Sequence, residues 1–232
     1  MSRNCEIRMA TEEEVKKEKC KDRGSLFSLK YLVYDICRFF VIIPGMLIFR
    51  PKYVYENEEA RKKIRGGALL VSNHTMVVDP MHLMIGIWYR RQHFVVAKEI
   101  MEKKQLHLVL KAALAIPVDR ENYNLDSFRM IVDRLKEGRV VTIFAEGHIN
   151  REGELDPFKS GMVLMSLQSG KPIVPVYIKN RKHFYERLTF VVGEKMNPAG
   201  ENGRRPGMAQ INRFTELVRE KENKLKLIVE EE

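Results

Sequence analysis

The chain has 232 residues and a mass of 27.2 kDa, with 44% hydrophobic and 9% aromatic residues. That excludes a disordered chain and is enough for one domain with a sizeable core. Lysine plus arginine outnumber aspartate plus glutamate by 41 to 31, a net charge of +10, which favours anionic partners such as nucleic acid, acidic lipid or phosphorylated small molecules. Cys5, Cys20 and Cys37 form no C-x-x-C pair, so neither a disulfide framework nor a zinc site is expected and a reducing compartment fits. The polar, charged first residues carry no secretory signal pattern.

Residues 1–24 read as a polar tail, in which Thr11 and Glu14 have capping-box spacing for a short helix through Lys21. Residues 25–52 change character. Tyr31 to Phe49 reads YLVYDICRFFVIIPGMLIF. Its uncharged part, Phe39 to Phe49, would span only about 16 Å as helix, roughly half a hydrocarbon core. Asp35 and Arg38 are costly at mid-bilayer unless they pair. The expectation is a helix, or a bent helix pair, embedded in one leaflet, with Lys30, Arg38, Arg50 and Lys52 near lipid headgroups. The alternative is a helix packed on the core.

Residues 53–232 read as an α/β domain. Gly66 to Val71 is a buried strand after a glycine pair, and Met81 to Tyr89 starts as a helix, with Asp79 as N-cap and Pro80 in the first turn. His93 to Ala97 predicts a strand and Lys98 to Ala113 a helix carrying Ile100, Leu106, Leu108 and Leu110. Ala115 to Arg120 is a short strand, and a helix capped by Asn124 runs to Gly138 with Phe128, Ile131, Val132 and Leu135 at helical spacing. Val140 to Phe144 is a central buried strand, Met162 to Gln168 a helix, and Pro172 to Ile178 and Leu188 to Val192 two further strands. From Pro206 a closing helix carries Ile211, Phe214, Leu217 and Val218. Alternating strands and helices predict a mixed, largely parallel sheet flanked by helices, with chemistry at the strands' C-terminal ends.

Three loops at such ends carry chemistry-bearing residues. In Ser72-Asn73-His74-Thr75-Met76-Val77-Val78-Asp79-Pro80, an aspartate folded onto an imidazole would fix its tautomer and leave the other nitrogen free to take a proton. Alone, the pair reads better as an N-capping aspartate beside a surface-loop histidine. Arg120 offers a fork of donors matched to phosphate, and Glu146-Gly147 puts a carboxylate where glycine permits close backbone approach. Each has a plain alternative: Arg120 as a strand-end residue paired with Asp119, Glu146 as a structural carboxylate, Lys159 as a helix-start surface residue. His82, His93, His107 and His183 read as surface or packing residues, since no H-E-x-x-H pattern or carboxylate cluster accompanies them.

The ordered set resembles the motif blocks of the glycerolipid acyltransferases, specifically those acting on lysophosphatidic acid. Asn73-His74 through Asp79-Pro80 is similar to their H-x4-D block, and Ile116 to Arg120 to the second. Phe144-Ala145-Glu146-Gly147 with Phe158-Lys159-Ser160-Gly161 resembles the third, and Pro172 to Val176 the fourth. The resemblance spans roughly residues 30–195. It implies that His74, oriented by Asp79, deprotonates the free hydroxyl of a lysophospholipid, which attacks an acyl-CoA or acyl carrier protein thioester to give phosphatidic acid. Arg120 would hold the acceptor phosphate, Glu146 and Gly147 would shape its site, and Lys159 would meet donor phosphates. It implies no cofactor, no metal and no nucleic acid, and a peripheral or monotopic enzyme on the cytoplasmic face of an anionic membrane. No G-x-S-x-G elbow is present, which disfavours a thioesterase or lipase. His148-Ile149-Asn150 replaces the family's usual Thr-Arg-Ser, so another lysophospholipid or a glycolipid acceptor stays open, with Arg151 as a substitute cation. A non-catalytic basic membrane-binding module is the competing class.

Overall fold

The computed structural model describes residues 32–119, 125–150, 154–181, 186–198 and 206–230. The helix proposed near Thr11, the Asn124 cap, Arg120, Arg151 and His183 lie outside them. Helix α1 (Leu32–Phe49) leads into strand β1 (Lys52–Tyr55), the one-turn helix α2 (Glu58–Arg61), β2 (Ala68–Ser72), α3 (Asp79–Gly86) and β3 (Gln92–Ala97). Then come α4 (Lys98–Met101), α5 (Lys104–Ala112), β4 (Ile116–Val118), α6 (Leu125–Lys136), β5 (Val140–Phe144) and α7 (Gly161–Ser169). Strands β6 (Ile173–Ile178) and β7 (Thr189–Val192) and the long helix α8 (Met208–Glu230) complete the order.

Strand order is β1-β7-β6-β2-β5-β3-β4, and every neighbouring pair is parallel except β6 with β7. Successive side chains of a strand point to opposite faces, so each strand feeds two layers. Ala68 and Leu70 of β2, with Val174, Val176 and Ile178 of β6, pack under α1 and α3. Leu69 and Val71, with Ile173, pack beneath α6, α7 and α8. The continuous apolar runs of β2 and β6, buried at every position, are what a sheet covered on both faces requires.

Helix α1 is a single helix with Pro44 inside it. Tyr34 and Ile42 are buried in the core. At Gly45 a Cβ would stand 2.3 Å from Ile85 Cδ1, so only glycine lets α1 approach α3 this closely. Asp35 is paired with Arg91, whose Nε donates to Oδ1 at 2.8 Å, and lies 3.9 Å from Arg38. Arg38 is buried and donates to Trp88 O, so it is not available to headgroups as its sequence position suggested. The opposite face exposes Phe39, Phe40, Leu47 and Ile48.

Several local expectations change. β1 and α2 were not anticipated, since no element was assigned between Phe49 and Gly66; β1 extends the sheet beside β7. The helix expected over 98–113 is two, because Lys103 takes an extended backbone (φ −67°, ψ 113°). Its Ile100, Leu106 and Leu108 are exposed, as is Leu217 of α8, since no layer covers those faces.

Helix α8 also buries Glu222 completely, and neither carboxyl oxygen has a hydrogen-bond partner among the described residues. Burial, reinforced by the negative charge of Glu146, pushes this carboxyl well above its ordinary value of 4.5. A raised folded-state pKa gives stability that is intact below the unfolded value and declines as pH rises towards the folded one. Glu222→Gln keeps the shape and removes the titration. Denaturant unfolding should show wild-type stability falling from pH 5 upward, whereas Glu222→Gln shows a flatter profile and greater stability at neutral pH. Parallel profiles would contradict this.

Candidate active site

Strands β2, β5 and β6 are adjacent and parallel, so their C-terminal ends open onto one edge, the usual place for a site in such sheets. Asn73, buried at the end of β2, fastens that edge. Its side chain accepts from Ile178 N at 2.8 Å and donates to Ile178 O at 3.0 Å. The chain then turns out of the sheet at His74.

Asp79 is the first residue of α3, and the N-cap position is Val78, with no side-chain cap. The expected N-cap role of Asp79 is therefore corrected. Its carboxylate folds back onto the loop, where Oδ2 accepts from Thr75 N and Met76 N, both at 2.7 Å. The next residue, Pro80, has no N–H to attract it forward. Oδ2 also meets His74 Nδ1 at 3.1 Å, and Oδ1 meets His82 Nδ1 at 3.3 Å. Burial pushes this carboxyl upward, but the hydrogen bonds from His74, His82, Met76 and Thr75 outweigh it and hold its pKa down at about 2.

An ionised carboxylate only accepts, so His74 Nδ1 carries the hydrogen and Nε2 keeps its lone pair. The imidazole stacks on Phe144, at the tip of β5, with ring centroids 4.0 Å apart and planes 17° apart. Its side chain is 16% exposed against 2% for Asp79. Among the described residues Nε2 has no hydrogen-bond partner. The arrangement is an oriented base with one open nitrogen, able to take a proton from a hydroxyl and share the resulting charge with Asp79.

The loop after β5 forms the second wall. Gly147 adopts φ +77°, a left-handed conformation that favours glycine. The Lys159 side chain lies over it: a Cβ at Gly147 would stand 3.2 Å from Lys159 Cε and 3.4 Å from Nζ. Glu146 is buried, and its Oε2 accepts from Asn150 Nδ2 at 2.9 Å and Asp156 N at 3.2 Å. Asn150 N donates to His74 O at 2.7 Å, tying this loop to the histidine loop. His148 lies 2.9 Å from Asp156. At least one oxygen of Glu146 thus has the structural task that the sequence left open, and Asn150 is a brace between loops.

The structure brings His74, Asp79, Glu146, Gly147 and Lys159 to the same sheet edge. Arg120 lies outside the described residues, beyond β4, which ends at Val118. Sequence reasoning missed His82, which is buried against Asp79 and is neither a surface nor a plain packing residue. The i,i+3 spacing of Asp79 and His82 within a helix was the available signal. It also missed Arg181, which follows β6 and donates to His82 Nε2 at 3.0 Å; nothing local marked it. Beside these residues a cavity of about 450 Å³ opens between α1 and α3, lined by Phe40, Ile48, Phe49, Met76, Met81 and Ile85, with His82 and Arg181. Met76 belongs to the His74 loop.

Comparison with known proteins places the chain among relatives of one family. A sequence profile of the family described as Acyltransferase matches residues 52–179. The 1-acyl-sn-glycerol-3-phosphate acyltransferase of Bacillus subtilis (strain 168) is 30% identical over 168 residues, covering 68% of this chain and 83% of that protein. The protein of the same description from Limnanthes douglasii is 30% identical over 159 residues, covering 65% of this chain and 54% of that one. In fold, the chain is similar to the crystal structure of the 1-acyl-sn-glycerophosphate (LPA) acyltransferase PlsC from Thermotoga maritima. The TM-score is 0.60 at 18% identity, over 86% of this chain and 80% of that one.

The depressed pKa of Asp79 is also a stability statement. A shift from 3.8 to about 2 corresponds to roughly 2 kcal/mol, present above the unfolded value and lost as pH falls through the folded one. Asp79→Asn should therefore be less stable by about that amount at pH 7. In urea titrations the gap should narrow between pH 4 and pH 2; a gap independent of pH would contradict the assignment.

Proposed function

Because this chain belongs to the acyltransferase family, we propose that it transfers an acyl group from a thioester to the free hydroxyl of lysophosphatidic acid, giving phosphatidic acid. The observation that carries the reading is the His74–Asp79 pair: Nδ1 is committed to a buried carboxylate at 3.1 Å and Nε2 is left open. In the reaction, Nε2 takes the hydroxyl proton as the acceptor oxygen attacks the thioester carbonyl. The tetrahedral intermediate collapses with cleavage of the carbon–sulfur bond, and the imidazolium returns its proton to the departing thiolate. Asp79 stabilises the imidazolium between these steps. No acyl-enzyme forms, in keeping with the missing nucleophile elbow.

The rest of the site fits such substrates. The cavity between α1 and α3 has the size and apolar lining of a ligand pocket and suits an acyl chain. Lys159 supplies a cation over Gly147 for the donor's phosphates, and Arg120 is the cation assigned to the acceptor phosphate. With His148 turned to Asp156, the third block presents no arginine at the position where the family usually has one. A different lysophospholipid headgroup is therefore the variant of this reading to test beside lysophosphatidic acid. Coenzyme A and acyl carrier protein are both admissible donor carriers.

The lipid substrates also require access to a bilayer. No helix among the described residues is long and apolar enough to cross a membrane. A surface seat is supported by the outward residues of α1, by Val77, Val78 and Met81 beside the active-site loop, and by Leu106, Leu108 and Val109 of α5, all exposed. Lys103, Lys104 and Lys111 accompany them, the mixture expected at an anionic interface. We place the enzyme peripherally on the cytoplasmic leaflet, a reducing compartment in which the exposed thiol of Cys37 stays free.

Thiol release from acyl-CoA, or from acyl carrier protein, should depend on lysophosphatidic acid in mixed micelles. It should fall by about a hundredfold or more in His74→Ala, the scale of a lost general base. Release without an acceptor would indicate a thioesterase and overturn the reading. Replacing Leu47 and Leu108 together by aspartate should weaken flotation with anionic vesicles while leaving the melting temperature close to wild type. Unchanged flotation would remove the membrane seat from these two helices.

A further inference from the structure

Two groups near the His74–Asp79 pair, the buried His82 and the half-buried Arg181, have no part in the chemistry described above. His82 is 2% exposed, one turn into α3 from Asp79. Its Nδ1 lies 3.3 Å from Asp79 Oδ1, and its Nε2 is met by Arg181 NH2 at 3.0 Å. A guanidinium has donors only and stays charged at any ordinary pH. Nε2 of His82 must then act as the acceptor, which leaves its single hydrogen on Nδ1, facing the carboxylate.

We propose that Arg181 and His82 are positioning residues for the catalytic base: Arg181 locks His82 in the Nδ1–H tautomer, and His82 in turn pins the second oxygen of Asp79. With Oδ2 held by Thr75, Met76 and His74 and Oδ1 held by His82, the carboxylate plane cannot rotate, and the ring of His74 inherits that fixed direction. The Nε2–H tautomer would instead point a hydrogen at Arg181 and withdraw the donor from Asp79. The proposal rests on the reading of His74 as the base.

Among the described residues, the surroundings of His82 supply no rival control. Its own helix contributes Asp79, and the loop before it contributes His74 through that carboxylate. The segment after β6 brings Arg181, itself within the electrostatic reach of Asp79 and Glu186. Helix α1 brings Phe49, whose ring meets His82 edge-on at 5.6 Å between centroids and lies under the Arg181 guanidinium at 4.7 Å. That stacking holds the fork in place. From β1, the Tyr53 hydroxyl donates to Ile85 O one turn further along α3, at 3.4 Å.

Nitrogen-15 NMR of the histidine-labelled full chain reads the tautomer directly and without any substrate. The wild type should show His82 as neutral Nδ1–H at pH 7; an Nε2–H or doubly protonated ring there would overturn the proposal. In Arg181→Met this signature should be lost. In the acyl-transfer assay kcat should fall on the order of tenfold, the scale of one hydrogen bond to a charged group. KM should be unchanged and the acid limb of the pH profile displaced. His82→Asn keeps a donor for Asp79 but has no second ring nitrogen to lock, so adding Arg181→Met to it should cost little more. Equal losses from Arg181→Met in both backgrounds, or a raised KM with the wild-type pH profile, would make Arg181 a packing or substrate-binding residue and refute the lock. Failure of lysophosphatidic acid as acceptor would leave the NMR result intact, so the two readings fail separately.

Discussion

A single buried carboxylate organises this active site. Asp79 is 1% exposed, yet it carries its charge because four donors converge on it from loop and helix. An anion removed from water without partners would cost several kcal/mol and would shed its charge instead. Here the donors are the backbone of the loop itself, together with two imidazoles, so the loop conformation and the charge stabilise one another. The five-residue spacing from His74 to Asp79 is what lets one oxygen reach Thr75 N, Met76 N and His74 Nδ1 together. A shorter loop could not turn back, and a longer one would lose its backbone donors.

That constraint reaches into the sheet. The loop springs from β2, the strand between β5 and β6, and is fastened on both sides. Asn73 joins it to β6 through Ile178, and Asn150 joins it to the loop after β5 through His74 O. Phe144 places an aromatic face against the imidazole, limiting its tilt. His74 is thus held by three neighbouring strands, the fixed placement that the proposed role of a base requires.

How far the sequence reaches depends on whether a feature is local. β2, β5 and β6 were legible because strands buried on both faces must be apolar at every position, a pattern that depends on nothing elsewhere in the chain. The His74–Asp79 pair was legible for the same reason, five residues apart on one loop. Its N-cap assignment was wrong because a carboxylate at a helix start has two sets of N–H groups within reach, and the choice is made by loop geometry that periodicity does not encode. Leu106 and Leu108 were read only as apolar residues carried by a helix, because hydrophobic content tells which residues seek a low-dielectric partner and not whether that partner is protein. Arg181 lies 99 positions from His82, and no rule of spacing joins them; only the adjacency of β6 to β2 does.

Helix α1, which sequence reading treated as either an anchor or a packed helix, packs one face on the core and leaves the other apolar and exposed. Its inner face contributes Tyr34 and Ile42 to the core and brings Gly45 against Ile85, while Phe49 reaches the His82–Arg181 pair. Its two charged residues turn inward, where Asp35 pairs with Arg91 and lies near Arg38. The outward face is then left free of ionic groups, so burying it in lipid carries no charge penalty. Phe40 and Ile48 belong to that exposed face and also line the cavity beside the His74 loop. The outward face of α1 and the cavity wall thus share apolar residues, and His82 and Arg181 are the polar side chains of that lining.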